Sequence, residues 1–560
     1  MHDLVIRNAL ICDGTGAAAQ RGDVAVDGDR IAAVGRGVGP GTETIDADGL
    51  VLAPGIIDTH THYDAQITWD PLADPSPALG VTSVLIGNCG FTIAPCREAD
   101  RDLTMRNLVK VEGMSLEAMR AGVRWDFETF PQYLDMLERG GVALNVGAFC
   151  GHSSVRTYVM GQDAHRRTAS AREIEAMCAI VTDAMAAGAV GFATSTSPSH
   201  NGDGGHPMPS RLADEAEMRT LVGAMGASGR GVFMLTKGGA TPIGFLESLA
   251  ADSARPVMIA ALLHNPTRPQ AVFDDLDAIA QANGRGHELY GQVSCCPLTM
   301  DFTVRNPYPL EGIAGWQRAL TASAQELPGV LADAAFRAAV KRDLHTPLAV
   351  RLFNGEWDKV SVVQTVHPRN RDVEGRSIAA LAAQRGQDPV DCLLDLALDE
   401  DLQTLFTAVL LNSDEDAVAS LLTHPHSAIA LSDAGAHLTF FCDAGFGLRL
   451  LGYWVRERGV MTLEQAIWRL SGQPASIFRI PGRGRLAPGC HADLLLFDPR
   501  TVGRSANRRV FDLPAGAPRL VNDALGVQGV WVNGVRVADD AGIIDDAIAR
   551  PGRVLRHFNA

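Results

Sequence analysis

The sequence lacks the features of several classes of protein. Its 560 residues contain no uninterrupted apolar run of about 18 residues, so no membrane-spanning helix is expected. The opening "MHDLVIRNALICDGTG" has no basic region before an apolar core, so no signal peptide is expected either. Because 65 acidic residues outnumber 49 Lys and Arg, the formal net charge is −16, which argues against a nucleic-acid surface. We therefore expect a soluble, cytoplasmic protein.

Two further patterns are missing. The ten cysteines are spread along the chain without the spacing of a disulfide framework, which indicates a reduced compartment. No Gly-x-Ser-x-Gly sequence is present, which disfavours a nucleophilic serine. The stretch "GRGVGPG" at 35–41 is glycine-rich, but no helical pattern follows it, so dinucleotide binding is a weak alternative.

The two ends of the chain resemble each other. Residues 23–34, "DVAVDGDRIAAV", and residues 529–538, "GVWVNGVRVA", each place two short alternating runs around a turn that contains glycine. Both patterns predict a β-hairpin. Neither end makes a convincing core alone, so we predict one small β-sandwich built from residues 1–54 and 480–560.

Residues 55–479 alternate apolar strands with helical patterns. Continuous apolar strands between helices are typical of a parallel sheet covered on its faces. Eight such strands predict an α/β fold, a (β/α)₈ TIM barrel with its functional residues at the C-terminal strand ends. The part from 300 to 425 does not follow the repeat, and we interpret it as an insertion over the barrel mouth. The eight predicted strands lie in "LVLAPGIIDTH", "VTSVLIGNCG", "VALNVGAFCGH", "AVGFATSTS", "GVFMLTKG", "PVMIAALLHN", "ELYGQVSCC" and "SAIALSDAG".

Potential metal ligands stand at several strand ends. His60 and His62 end the first predicted strand, and because residues i and i+2 point to the same side, both are expected at the barrel mouth. Cys89, His264 and Asp433 end three others, and closure of the barrel brings the last strand beside the first. Imidazole, thiolate and carboxylate are ligands that zinc accepts. The alternatives are histidines satisfied by core hydrogen bonds and a cysteine that packs as a small hydrophobe.

Several motifs resemble those of a known family. "VLAPGIIDTHTHYD", "GNCGFTIAP", "GHSSVR", "AGAVGFATS", "LSDAGAH" and "GRLAPGCHADLLLFDP" are similar to the amidohydrolase superfamily and, within it, the D-aminoacylase (N-acyl-D-amino-acid deacylase) family. The resemblance covers nearly the whole chain. It implies a metal-dependent barrel that hydrolyses an amide bond. Positions that match the family's metal ligands are His60, His62, Cys89, His264 and Asp433, and Asp433 also matches the catalytic acid/base.

Two departures from the family pattern stand out. The fifth strand, "VFMLTKGG", has no histidine at its end, and Lys237 is close by, either as a carboxylated metal ligand or as a cation at the rim that binds a substrate anion. The family's His-Pro-Arg element after Asp433 is replaced by "HLTFFCDAGFGLRLLGYWVRE". His152, Arg156 and His437 are placed where they contact substrate or, alternatively, stabilise a strand end or loop.

These features predict a metal-dependent hydrolase of a small-molecule C–N amide bond. One or two Zn²⁺ ions would activate water, and Asp433 would move the proton. The alternatives are a deaminase or cyclic-amide hydrolase on the same metal site, and a catalytically inactive metal-binding structural subunit. We expect no nucleic-acid or membrane partner, and the sequence leaves a homo-oligomer open.

Overall fold

The computed structural model describes residues 1–348, 351–544 and 550–559. The chain divides into two compact units. The first unit consists of Met1–Leu262, Asp275–Cys295 and Ala419–Ala560. The second unit consists of Leu263–Asp274 and Cys296–Val418.

The strands fall into five groups along the chain. The N-terminal group is β1 (His2–Ile11), β2 (Gln20–Asp27), β3 (Arg30–Gly35), β4 (Gly41–Asp46) and β5 (Val51–Pro54). The next group is β6 (Ile56–Asp58), β7 (Val81–Ile86), β8 (Asn145–Gly151), β9 (Gly191–Ser195), β10 (Val232–Thr236), β11 (Val257–Ala260) and β12 (Leu289–Val293). The second unit holds β13 (Thr299–Phe302), β14 (Val360–Gln364) and β15 (Leu405–Val409). A single strand, β16 (Ser427–Ile429), follows. The C-terminal group is β17 (Leu494–Phe497), β18 (Gly503–Arg504), β19 (Arg508–Leu513), β20 (Ala517–Val521), β21 (Ala524–Leu525), β22 (Val527–Val532), β23 (Val535–Asp539) and β24 (Gly542–Ile543).

The helices alternate with the strands of the middle region. Up to residue 284 they are α1 (Arg101–Val111), α2 (Leu116–Gly122), α3 (Phe130–Gly140), α4 (His152–Met160), α5 (Ala171–Ala187), α6 (Glu215–Gly226), α7 (Ile243–Ser253) and α8 (Ala271–Gly284). Later helices are α9 (Gln317–Leu320), α10 (Leu327–Ala332), α11 (Ala334–Leu344), α12 (Ile378–Arg385), α13 (Pro389–Asp399), α14 (Glu415–Thr423), α15 (Phe446–Arg449), α16 (Leu463–Leu470) and α17 (Gly472–Ile477). Among the described residues, none of the helices has both the length and the apolar character needed to cross a bilayer.

Eight parallel strands form the barrel of the first unit. Their order is β16-β12-β11-β10-β9-β8-β7-β6, and they are the eight strands that the sequence predicts. A parallel bridge between Thr61 and Ala434 joins the segments that follow the first and last strands, which brings the two edges of the sheet together. The apolar runs are long enough to be buried on both faces, and every residue of β7 and β8 is buried. The strands therefore form a (β/α)₈-like barrel.

One nine-stranded sheet unites the two ends of the chain. It contains β1–β5 from the N-terminal group and β17 and β22–β24 from the C-terminal group. Both predicted hairpins are confirmed, because β2 pairs with β3 and β22 with β23 in antiparallel fashion. Gly28 (φ 56°) and Gly534 (φ 83°) supply the left-handed backbone that these tight turns require. Description of this sheet as a sandwich, and the predicted domain boundaries, stay predictions.

The second unit has a small sheet of its own. It is antiparallel, with the order β13-β15-β14. Helices α9 to α13 belong to the same unit.

Candidate active site

A cluster of three potential metal ligands lies where β6 and β7 end. The ligand atoms of His60, His62 and Cys89 are all within 4.8 Å of one another, and the three side chains are buried. The chain stays paired beyond β6, because Thr61 bridges to Ala434. Side chains therefore continue to alternate, which puts both imidazoles on one side with their ring centroids 5.3 Å apart.

Cys89 enters the cluster from a tight turn after β7. Its backbone is left-handed, with φ 58°, and Sγ lies 3.5 Å from Nε2 of His60 and 3.0 Å from Oγ1 of Thr236. Burial alone would raise the pKa of the thiol, but the neighbouring imidazoles of His60 and His62 lower it to about 6. The sulfur is therefore largely a thiolate at neutral pH, and the thiolate is the form that binds metal.

Asp433 reaches the same point from the segment after β16. Its N–H donates to the carbonyl oxygen of His60 at 3.2 Å. Its Oδ1 lies 3.3 Å from Nε2 of His60 and 3.6 Å from Nε2 of His62. Burial raises the pKa of the carboxyl group, but the hydrogen bond from His62 and the charge of both imidazoles hold it well below its ordinary value. Because the side chain is still 22% exposed, it is a charged group that faces open space.

Glu112 is a buried acid beside His62 that the sequence analysis did not single out. Its Oε1 lies 3.2 Å from Nδ1 of His62, in an ion-pair contact that lacks hydrogen-bond geometry. Burial raises the pKa of this carboxyl group to about 8, although the charge of His62 opposes the shift. The residue follows the end of α1, and an acid at a helix end carries no sequence signal of such a role.

These groups line one cavity. The space open to water inside it is about 80 Å³. His437 faces it with an Nδ1 that has no hydrogen-bond partner among the described residues, and burial lowers the pKa of this imidazole to about 4. His200 was not found by sequence reasoning. Its Nδ1 lies at hydrogen-bond distance, 2.6 Å, from Oγ of Ser195, and burial lowers the pKa of the His200 imidazole to about 3. The lining residues are His60, His62, Cys89, Phe91, Val111, Glu112, His200, Thr236, Ala261, Leu431, Asp433 and His437.

The end of β10 presents a threonine to the cluster instead of Lys237. Thr236 contacts Cys89. Lys237 is the next residue, and its Nζ donates to Oδ1 and Oδ2 of Asp275 in α8 at 2.7 and 2.6 Å. Successive residues point to opposite sides of a strand, so only one of the two can face the cavity. The structure therefore does not bring Lys237 to the cluster.

His152 and Arg156 belong to a buried network and are not among the residues that line the cavity, so a substrate contact by either of them stays a prediction. His152 begins α4 directly after β8, and its ring binds Oγ1 of Thr194 at 2.8 Å and Oε1 of Glu217 at 2.9 Å. Arg156 donates to the same carboxylate, and all of these side chains are fully buried. Burial raises the pKa of Glu217, but these two partners lower it below its ordinary value. Each of these buried ionisable side chains therefore has a partner, and removal of one of them would leave a buried charge uncompensated.

Comparison with known proteins identifies the family. The amidohydrolase family model matches residues 43–538. The chain belongs to the amidohydrolase family. It is 28% identical to the D-aminoacylase of Alcaligenes xylosoxydans xylosoxydans over 542 residues. This alignment covers 96% of this chain and 94% of the relative.

Solved amidohydrolase structures resemble the whole chain. A D-aminoacylase studied for the functional role of its binuclear metal centre has a TM-score of 0.68 and 25% identity, and all of both chains is covered. The N-acyl-D-glutamate deacylase from Bordetella bronchiseptica, in complex with zinc and a phosphonate inhibitor, has a TM-score of 0.66 and 26% identity over 99% of this chain and 100% of that one. The predicted class is confirmed: this amidohydrolase acts on carbon–nitrogen bonds other than peptide bonds.

One predicted ligand of the amidohydrolase, His264, belongs to the second unit. There its N–H donates to Oδ1 of Asn412 at 2.9 Å, and the N–H of Asn412 returns a 2.9 Å bond to the carbonyl oxygen of His264. The ring is buried, and its Nδ1 has no hydrogen-bond partner among the described residues. Its role as a metal ligand stays a prediction.

Proposed function

We propose that this amidohydrolase holds zinc with His60, His62, Cys89 and Asp433 and hydrolyses the amide bond of a small N-acyl amino acid. The observation that carries the proposal is the convergence of these four side chains where the first, second and last barrel strands end. Two imidazoles, a thiolate and a carboxylate fit the ligand preference of zinc. The proposed site would take one or two ions.

Asp433 is proposed to move the proton. Zinc, when bound, lowers the pKa of water to about 7 and polarises a carbonyl oxygen. Asp433 is charged at neutral pH and partly exposed to the cavity, so it can accept the proton of the attacking water and return it to the leaving amine. Its N–H bond to the carbonyl oxygen of His60 keeps it beside the ligands.

Two neutral imidazoles are proposed to contact the substrate. His437 and His200 line the cavity, and their lowered pKa values keep both uncharged at neutral pH. A neutral imidazole offers one donor and one acceptor, which suits the N–H and carbonyl groups of an amide. Two of the similar proteins are a D-aminoacylase and an N-acyl-D-glutamate deacylase, so N-acyl-D-amino acids are the first substrates to test. A cytoplasmic location and a homo-oligomer stay predictions.

Elemental analysis combined with a substrate screen tests this function. The purified protein should contain zinc and release the free amino acid from N-acyl amino acids of one configuration. His60→Ala and His62→Ala should lose metal and turnover together, because each removes a ligand. His287→Ala, which alters a partly exposed histidine near Glu247, is the matched control and should change neither. Full activity in a metal-free His60→Ala protein would contradict the proposal, and release of ammonia would identify a deaminase instead.

A further inference from the structure

A fully buried amide contacts one of the proposed ligands. Gln292 lies in β12, the seventh barrel strand, and is completely enclosed. Its Oε1 lies 2.7 Å from Nδ1 of His60, and its Nε2 donates to Oγ1 of Thr59 at 3.2 Å. Both ends of the side-chain amide are therefore in use, which limits its rotation.

This contact determines which nitrogen of His60 is free. The form of an imidazole that binds a metal is the neutral one, which carries a single N–H, and an amide oxygen can only accept. With Oε1 of Gln292 against Nδ1, the proton stays on Nδ1 and the lone pair on Nε2. Nε2 is the atom that faces Sγ of Cys89 at 3.5 Å and Oδ1 of Asp433 at 3.3 Å. A reversed amide would donate to Nδ1, shift the proton to Nε2 and block ligation.

We propose that Gln292 is a positioning residue that keeps the proton of His60 on Nδ1 and so leaves Nε2 for the metal. The inference rests on the proposed function. Outer partners of this kind fix the tautomer and orientation of metal-binding histidines. His62 differs, because its contact with Glu112 lacks hydrogen-bond geometry. His60 is thus the better oriented of the two imidazoles before metal arrives.

Zinc affinity of the metal-free protein tests the proposal without recourse to activity. Gln292→Met keeps the length of the side chain but removes the acceptor, and it should weaken zinc binding roughly 10- to 100-fold. Gln292→Glu keeps an acceptor oxygen opposite Nδ1 and should bind zinc within a few-fold of wild type. The dissociation constants come from competition with a chromophoric chelator. The visible spectrum of the Co²⁺-loaded proteins should change in Gln292→Met and be retained in Gln292→Glu.

The outcomes separate this proposal from the proposed function. If the wild-type protein binds no zinc, the proposed function fails and the positioning role with it. If wild type binds zinc and Gln292→Met matches it in affinity and Co²⁺ spectrum, only the positioning role is overturned. Equal losses in Gln292→Met and Gln292→Glu would also overturn it, because the acceptor would then not matter. Should Gln292→Met fail to fold, Thr59→Val is measured instead, and an unchanged zinc affinity there overturns the proposal.

Discussion

Replacement of Asp433 by asparagine separates proton transfer from metal retention. Asparagine keeps the shape of the side chain and one acceptor oxygen, but it cannot take up a proton at neutral pH. Oδ1 of Asp433 lies 3.3 Å from Nε2 of His60 and 3.6 Å from Nε2 of His62, so it is at the edge of the group of proposed metal ligands. The two imidazoles and the thiolate of Cys89 remain within 4.8 Å of one another without it.

The expected loss is large in turnover and small in metal content. A positioned acid/base contributes roughly 10²- to 10⁴-fold to the rate, and Asp433→Asn should lose at least this factor in kcat. The three other proposed metal ligands, His60, His62 and Cys89, stay in place, so most of the zinc should be retained. The backbone N–H bond to His60 is unaffected by the substitution, so the segment after β16 should keep its course.

Both quantities are measured on one preparation, with elemental analysis for zinc and amino-acid release for turnover. Asp443→Asn is the matched control, because Asp443 is a buried acid on the same segment that pairs with Arg504 at 3.0 Å and does not line the cavity. It should retain kcat even where stability falls. Near-normal turnover in Asp433→Asn would show that this carboxylate is not the proton carrier, and a zinc-free Asp433→Asn protein would show that it is a principal ligand.

Two other substitutions test the placement of residues outside the cavity. Lys237→Ala should leave zinc content unchanged by elemental analysis, because the ammonium group binds Asp275; loss of an ion would restore the carboxylated-lysine interpretation. Glu217→Gln should lower the free energy of unfolding by about 3 to 5 kcal/mol in urea titration at neutral pH, because the buried Arg156 loses its counter-charge. The folded pKa of Glu217 is lowered, so its contribution is complete above the unfolded pKa of 4.5 and is lost as the pH falls through the folded value. The difference between wild type and variant should therefore shrink in acid, and a pH-independent difference would contradict the assignment.

The barrel could be predicted because its strands carry a strong local signal. Each is a short apolar run followed by glycine or a polar residue. A short run that is apolar throughout is typical of a strand that is buried on both faces. The hairpins at both chain ends were equally clear, because Gly28 and Gly534 stand at turns that need positive φ. The three-stranded sheet β13-β15-β14 was not predicted. Its members are widely separated along the chain, and strand pairing over such distances leaves no local pattern.

The candidate site was predictable where backbone geometry alone decides it. Alternation puts His60 and His62 on one side, and barrel closure brings Asp433 beside them. Glu112 and Gln292 could not be found in this way. One follows a helix and the other lies inside a strand, and only the tertiary fold brings either of them to an imidazole. A glutamine within the apolar run "ELYGQVSCC" was the one available hint, since a buried amide requires partners.

Two of the predicted site residues, Lys237 and His152, have partners outside the cavity for the same physical reason. Successive side chains at a strand end point to opposite sides of the sheet, so a residue one position further along faces away from the cavity instead of into it. Thr236 takes the inward position at the end of β10, which sends Lys237 to Asp275. At β8 the helix begins without a loop, so His152 turns towards its neighbours β9 and α6 and meets Glu217. An ionisable residue at a barrel strand end therefore indicates function only after its direction is known. The side-chain direction of His60 is determined by the paired backbone at Thr61. In our proposal, Gln292 determines that Nε2 is the ring nitrogen of His60 that is free to bind the metal.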